Sequence, residues 1–261
     1  MHKLNNLFLA DKFDQIYCLN LSHRHDRRKT MMKQFDCLGL SSASNMDWRF
    51  STSHPFSDIS AEVFNRTKYG MFHFPNEVNC AREHYSMVKM AYDFGYSNVL
   101  IMEDDILFLK DPDIFEHTLE LIPEDWDILQ FGGYVLNLKN EHTEGSKKKL
   151  EDFESLRKKN LYGGWVSGYK AWNCSMYALS RRGMEYYMAC QEKFYTVADY
   201  PLYYATFNKN IVNAYLSIVP IVIQDWTNEN PSDIRSQESN DYNSSKNLYE
   251  IGIDKDNYGL F

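Results

Sequence analysis

Three consecutive acids, Glu103-Asp104-Asp105, stand between the apolar runs Val99-Leu100-Ile101-Met102 and Ile106-Leu107-Phe108-Leu109. A short run of branched and apolar residues reads as a buried parallel strand, and open α/β sheets gather ligands at the carboxyl ends of such strands. Adjacent carboxylates repel one another and resist burial, so acids in that position need water or a cation. The chemistry predicted is a divalent metal carrying a phosphate-bearing substrate; the competing reading is a solvated acidic turn.

The elements that must hold these acids alternate along the chain. Residues 16–19 read as a first strand that runs into Asn20-Leu21-Ser22-His23-Arg24-His25-Asp26-Arg27-Arg28, a turn rich in arginine. The next helix is expected to bury Met31, Met32, Phe35 and Leu38 and to stop at Gly39, which can take the left-handed capping conformation. From 41 to 75 the pattern is less regular, with a short strand near 48–50 and a short helix near 59–65. A helix over 77–94 carries Ala81, Tyr85, Val88 and Tyr92 on one face and stops at Gly95. Beyond the acids, Asp111-Pro112 opens a helix to residue 121, and 126–131 forms a strand closed by Gly132-Gly133. The polar stretch 137–160 reads as a mobile loop with a short solvated helix, or as a lid. A strand at 174–179, a helix over 181–191 capped by Ser180, a helix starting at Pro201 and a final strand over 215–223 follow. Alternation of this kind predicts an α/β fold with a mostly parallel central sheet flanked by helices. One domain over 1–234 is expected, with 235–261 a polar tail that docks back or is partly disordered.

At 261 residues the chain suits one α/β domain with its own core. Its 28 basic and 36 acidic residues leave a net charge of −8, which excludes a field drawing the whole molecule to nucleic acid. Aromatic residues make up 15%, suited to stacking on sugars or bases as well as to filling a core. The five cysteines are odd in number, scattered and without CxxC spacing, and so read as reduced core thiols. The N-terminal residues lack a signal-peptide apolar stretch and no run reaches transmembrane length, so a soluble, cytoplasmic protein is expected, with peripheral membrane contact left open.

Several segments taken in order resemble glycosyltransferase family 25, the lipooligosaccharide and collagen galactosyltransferases. They are Ile16-Tyr17-Cys18-Leu19-Asn20-Leu21 with Asp26-Arg27-Arg28, Asn79-Cys80-Ala81-Arg82-Glu83-His84, Ile101-Met102-Glu103-Asp104-Asp105-Ile106, Trp126-Asp127-Ile128-Leu129 with Gly132-Gly133, the stretch 177–183, and Gln224 with Ser232-Asp233-Ile234. Asn79 and Glu83 depart from the family's usual Gly and Ser, and 43–76 has no clear counterpart. The resemblance implies a GT-A glycosyltransferase fold with a Rossmann-like nucleotide half, a UDP-sugar donor, Mn²⁺ (or Mg²⁺), a glycan or glycosylated acceptor, and transfer of a hexose such as galactose with inversion.

On that reading Asp105 is the direct metal ligand, Glu103 binds the metal through water or meets the ribose, Asp104 orients the cluster, and Gln224 or Asp225 completes the metal shell. Asn20, Leu21, Arg24, Arg27 and Arg28 meet the nucleotide at the first turn, where guanidinium groups suit phosphate or uracil oxygens. His84 joins them or is a satisfied helical histidine. Inversion needs a base for the acceptor hydroxyl, and Asp199 is the first candidate, Asp127 the second; as plain structure they would be a helix cap and a backbone contact. Trp165 and Tyr169 either stack on a sugar or fill the core. The rival functions are a catalytically silent nucleotide-sugar or glycan-binding protein and a nucleotidyltransferase, which also ends a strand with acids.

Overall fold

The computed structural model describes residues 9–51, 75–135, 144–169, 171–192, 196–207, 211–225 and 257–258. Its strands are β1 (Gln15–Leu21), β2 (Met46–Ser51), β3 (Asn98–Glu103), β4 (Ile106–Phe108), β5 (Ile128–Gln130), β6 (Tyr134–Val135), β7 (Trp165–Val166), β8 (Ala171–Trp172), β9 (Met176–Ser180), β10 (Ala214–Ser217) and β11 (Val222–Gln224). The helices are α1 (His25–Leu38), α2 (Pro75–Asp93), α3 (Pro112–Glu120), α4 (Glu144–Lys159), α5 (Arg181–Gln191) and α6 (Tyr200–Phe207).

Seven strands form one sheet in the order β2-β1-β3-β9-β5-β10-β7. β2, β1 and β3 run parallel, β9 runs against both β3 and β5, β10 follows β5, and β7 is reversed. The sheet is therefore mostly parallel, and its two reversed strands are β9 and β7. Helices cover both faces, as a parallel sheet requires. Strand period sorts the core: Ile16, Cys18, Leu100 and Met102 face Met31, Phe35 and Leu38 of α1, whereas Tyr17, Val99 and Ile101 face Ala81, Val88 and Ala91 of α2. Each such buried aliphatic side chain contributes roughly 1.5–3 kcal/mol.

The helices follow their apolar stripes, with instructive shifts. In α1 the buried positions are Arg27, Met31, Gln34, Phe35 and Leu38, a stripe at spacings of four, three, one and three, and Gly39 closes the helix at φ 72°. Met32, expected inside, is 48% exposed, because one residue is a 100° step away from Met31. In α2 the stripe is Val78, Ala81, His84, Val88 and Ala91, and the expected Tyr85 and Tyr92 flank it, only partly buried. The stretch expected to hold a short helix contains the 16-residue α4. Residues 215–223 are two strands instead of one, since the chain breaks at Pro220; β11 then pairs antiparallel with β4 in a separate ribbon. The short helix expected near 59–65 lies outside the described residues.

That β4–β11 ribbon is fixed to α1 by one side chain. Gln34, fully buried, donates from Nε2 to the Ile106 carbonyl at 2.9 Å and accepts the Phe108 N–H on Oε1 at 2.9 Å, which pairs a carbonyl and an N–H of β4. Gln34→Leu keeps the volume but leaves a buried N–H and C=O unpaired, so a loss of about 2–4 kcal/mol is expected in a urea titration.

Candidate functional site

Strand period also sorts the acids. Glu103, the last residue of β3, continues the α2-facing set of Val99 and Ile101, so its carboxylate lies under α2. His84 Nε2 is 3.3 Å from Glu103 Oε1, with Cys174 Sγ at 3.6 Å and Cys80 Sγ at 3.9 Å from the same oxygen. His84 Nδ1 meets the Tyr177 hydroxyl at 2.9 Å, and the two rings lie nearly parallel. Burial works against the charge of Glu103, but the hydrogen bond and charge of His84, the bond from Cys174 and the charge of Arg27 together outweigh it and keep the carboxyl below its ordinary pKa.

Asp104 turns to the opposite face, toward α1. It accepts Asn20 Nδ2 at 2.6 Å and Arg27 Nη1 at 3.0 Å. Residues 104 and 105 form a turn, so the strand's alternation ends and Asp105 does not return to Glu103's side. Asp105 Oδ2 is instead 3.3 Å from Arg27 Nη1 and accepts Gln224 Nε2 at 3.1 Å, while its backbone carbonyl accepts the Asp225 N–H at 2.6 Å. Among the described residues its Oδ1, also buried, has no hydrogen-bond partner. Burial first, and then the negative charge of Glu103, push the Asp105 carboxyl up to about 8, against the pull of Arg27.

Of the residues singled out in the sequence, Asn20, Arg27, His84, Glu103, Asp104, Asp105 and Gln224 therefore converge at the carboxyl ends of β1 and β3. Leu21 closes β1 and accepts the Arg24 N–H at 2.8 Å. Arg24 is buried and grips Asp26 at 2.8 Å, which holds that carboxyl down to about 2 through the hydrogen bond. Arg28 lies 5.3 Å over the ring of Phe50, itself half exposed at the end of β2. Asp127 is not brought into the cluster. It precedes β5, at the opposite end of the parallel strands from the acids, where it accepts Ser180 Oγ at 3.0 Å and the Asn213 N–H at 2.9 Å. Trp165 donates its ring N–H to the Thr118 carbonyl and packs edge-on against Phe131, and Tyr169 packs on Phe153.

Asp199 stands immediately before α6, beside the cluster on the α2 side. Burial first, and then the charge of Glu103, raise its carboxyl to about 6, against the pull of the backbone N–H groups of Asp199 and Asn173. Asn173 is in the left-handed region at φ 102° and accepts the Ser175 N–H at 2.8 Å, a local bond that favours Asn there. Next to it Trp172 stacks on Tyr203 of α6 with centroids 4.2 Å apart. Sequence reasoning missed Cys80, Cys174, Asn173 and Tyr177. A signal for the first existed: Cys80 and His84 are one helical turn apart and must share a face. Cys174 and Tyr177 come from a distant part of the chain, and only the β3–β9 pairing brings them in.

The sequence pattern that defines glycosyltransferase family 25 (LPS biosynthesis protein) matches residues 13–202, and the chain belongs to this family. A glycosyltransferase 25 family member of Anopheles gambiae is 26% identical over 182 residues, 62% of this chain and 28% of that one. The human inactive glycosyltransferase 25 family member 3 is 24% identical over 69% of this chain and 29% of its own length. Procollagen galactosyltransferase 1 of Danio rerio is 22% identical over 80% of this chain and 34% of its own. The chain thus spans about a third or less of the length of the curated relatives it matches. The matched residues include all three acids, His84 and Asp199, but end before Gln224.

Asp105 carries a pH dependence whose sign is fixed. Its folded pKa of about 8 lies above the unfolded value of roughly 4, so in the metal-free protein the folded state holds a proton that the unfolded chain has lost. Stability is therefore expected to fall as pH rises from about 4 to about 8, by a few kcal/mol, and Asp105→Asn to flatten that slope in urea titrations run across the range.

Proposed function

We propose that this chain transfers a hexose, with galactose the first candidate, from a UDP-sugar to a glycan or glycosylated acceptor, with inversion at the anomeric carbon and a divalent ion, Mn²⁺ or Mg²⁺, on the donor diphosphate. The observation that carries the reading is Asp105, a buried carboxyl at the end of a parallel strand with one oxygen lacking a protein partner among the described residues. Such an oxygen fits a hard cation, which takes oxygen ligands and relieves the repulsion from Glu103. Asp105 and Gln224 would hold the ion. When bound it supplies charge neutralisation for the diphosphate as it leaves.

The chain's own residues divide the remaining work. Arg27 neutralises Asp104 and Asp105 together, at 3.0 and 3.3 Å, and keeps the acidic turn in place. Arg28 and the half-exposed ring of Phe50 offer a cation and a flat face to the nucleotide. Asp199 takes the proton from the acceptor hydroxyl as that oxygen bonds to the anomeric carbon and the bond to the diphosphate breaks on the opposite side. A carboxylate with a pKa of about 6 suits this role, being ionised at neutral pH yet more basic than an ordinary aspartate. The finer reading of the fold as GT-A is supported by the same layout, in which parallel strands end at the acids and the reversed β9 carries the chain back past them.

Donor binding without transfer is the second reading, favoured by the similarity to a human relative named inactive. Two measurements separate them. UDP-galactose with Mn²⁺ is expected to raise the melting temperature, by the equivalent of about 2.7 kcal/mol at a hundredfold excess over Kd. Wild-type protein should also release UDP, Asp199→Asn should lower turnover on the order of 10²–10⁴-fold while keeping the thermal shift, and the wild-type rate should fall as pH drops through about 6. A thermal shift with no UDP release under any acceptor condition would favour the silent binder. Release of pyrophosphate from a nucleoside triphosphate would point to a nucleotidyltransferase.

A further inference from the structure

The four groups around Glu103 Oε1 are a separate matter from the donor site, since they use neither Asp105, Gln224 nor Asp199. Cys80 and His84 come from successive turns of α2, Glu103 from the end of β3, and Cys174 from the segment between β8 and β9. The ligand atoms of Cys80, His84 and Glu103 all lie within 4.8 Å of one another. Cys174 Sγ adds a fourth corner, 3.6 Å from Glu103 Oε1 and 4.0 Å from His84 Nε2.

We propose that Cys80, His84, Glu103 and Cys174 bind a zinc ion in a closed, four-coordinate structural site. The spacing of the donor atoms supports such a site. Metal bonds of about 2.3 Å to sulfur and about 2.0–2.1 Å to nitrogen and oxygen, at tetrahedral angles, put nitrogen and oxygen about 3.3 Å apart and sulfur about 3.5 Å from either. The corresponding distances are 3.3 Å for His84 Nε2 to Glu103 Oε1 and 3.6, 3.9 and 4.0 Å for the sulfur pairs. The nitrogen–oxygen separation is long for a charge-assisted hydrogen bond, which runs to about 2.7–2.9 Å. Two thiolates and an imidazole select zinc over the hard cation suited to Asp105. Tyr177 supports the assignment, because its hydroxyl, 2.9 Å from Nδ1, orients the ring so that Nε2 faces the ligand set. The ion would pin α2 to the β3 end and to the start of β9, and so fix the base of the acidic turn.

The test needs neither sugar nucleotide nor turnover, so it stands or falls apart from the glycosyltransferase reading. The full chain, purified under reducing conditions, is dialysed against zinc alone, washed, and analysed for metal; a second sample takes Co²⁺ in its place. The expected result is one zinc per chain, and in the cobalt form a thiolate charge-transfer band with the visible bands of a tetrahedral centre. Cys174→Ser should roughly halve the charge-transfer band, and Tyr177→Phe, which removes no ligand and keeps the ring, should weaken zinc binding about 10–100-fold. Absence of retained zinc and of the charge-transfer band in wild-type protein would overturn the proposal, and so would bands unchanged in both Cys80→Ser and Cys174→Ser.

Discussion

Three adjacent carboxylates at the buried end of a strand set the terms for the rest of the molecule. Removing each from water costs several kcal/mol unless a partner compensates it, and neighbours in sequence cannot compensate one another. The fold answers by aiming them in different directions. Glu103 goes under α2 to His84, Asp104 goes to Asn20 and Arg27, and the turn that follows delivers Asp105 to Arg27 and Gln224. Four separate elements must therefore be in place for the acids to be tolerated: the end of β1, the first turn of α1, the middle of α2 and the end of β11. The one carboxyl left incompletely satisfied among the described residues, Asp105, is also the one whose charge is most disfavoured by its surroundings. That unpartnered oxygen is where the proposed cation would bind.

Much of this was legible in the sequence, for definite reasons. The apolar run of β3 and the stop at Gly39 are local signals, and they give the strand and the end of α1 where expected. The acids, Asn20, Arg27 and His84 were legible as a set because each lies at an element end or on a helix face that the sheet order brings together. What stayed hidden depended on pairings between distant segments. Nothing local to Cys174 says that β9 will run antiparallel to β3, and that reversal carries a second thiol, beside that of Cys80, to Glu103. Nothing local to Gln34 says that its amide will stand in for a neighbouring strand. Nothing local to the acids says that a turn at 104–105 will end the strand's alternation and send Asp105 to Arg27 and Gln224.

Family membership and geometry fit together unevenly along the chain. The family match runs from before β1 to the start of α6 and so takes in the acidic turn, the α2 histidine and the acid before α6. Gln224 lies beyond it, yet closes over Asp105 through the β4–β11 ribbon. This partner of Asp105 is thus supplied by a segment outside the matched residues. The curated relatives are matched over 28%, 29% and 34% of their own length.

In the proposed function the acidic turn anchors a divalent ion together with a nucleotide diphosphate. Electron paramagnetic resonance of Mn²⁺ tests it directly, since the sharp six-line signal of the free aqueous ion is lost on binding. With UDP present, the signal should be depleted by one equivalent per chain in wild-type protein and remain at the level of a protein-free UDP control with Asp105→Asn. Equal depletion by wild type and Asp105→Asn, or none by either, would contradict the claim.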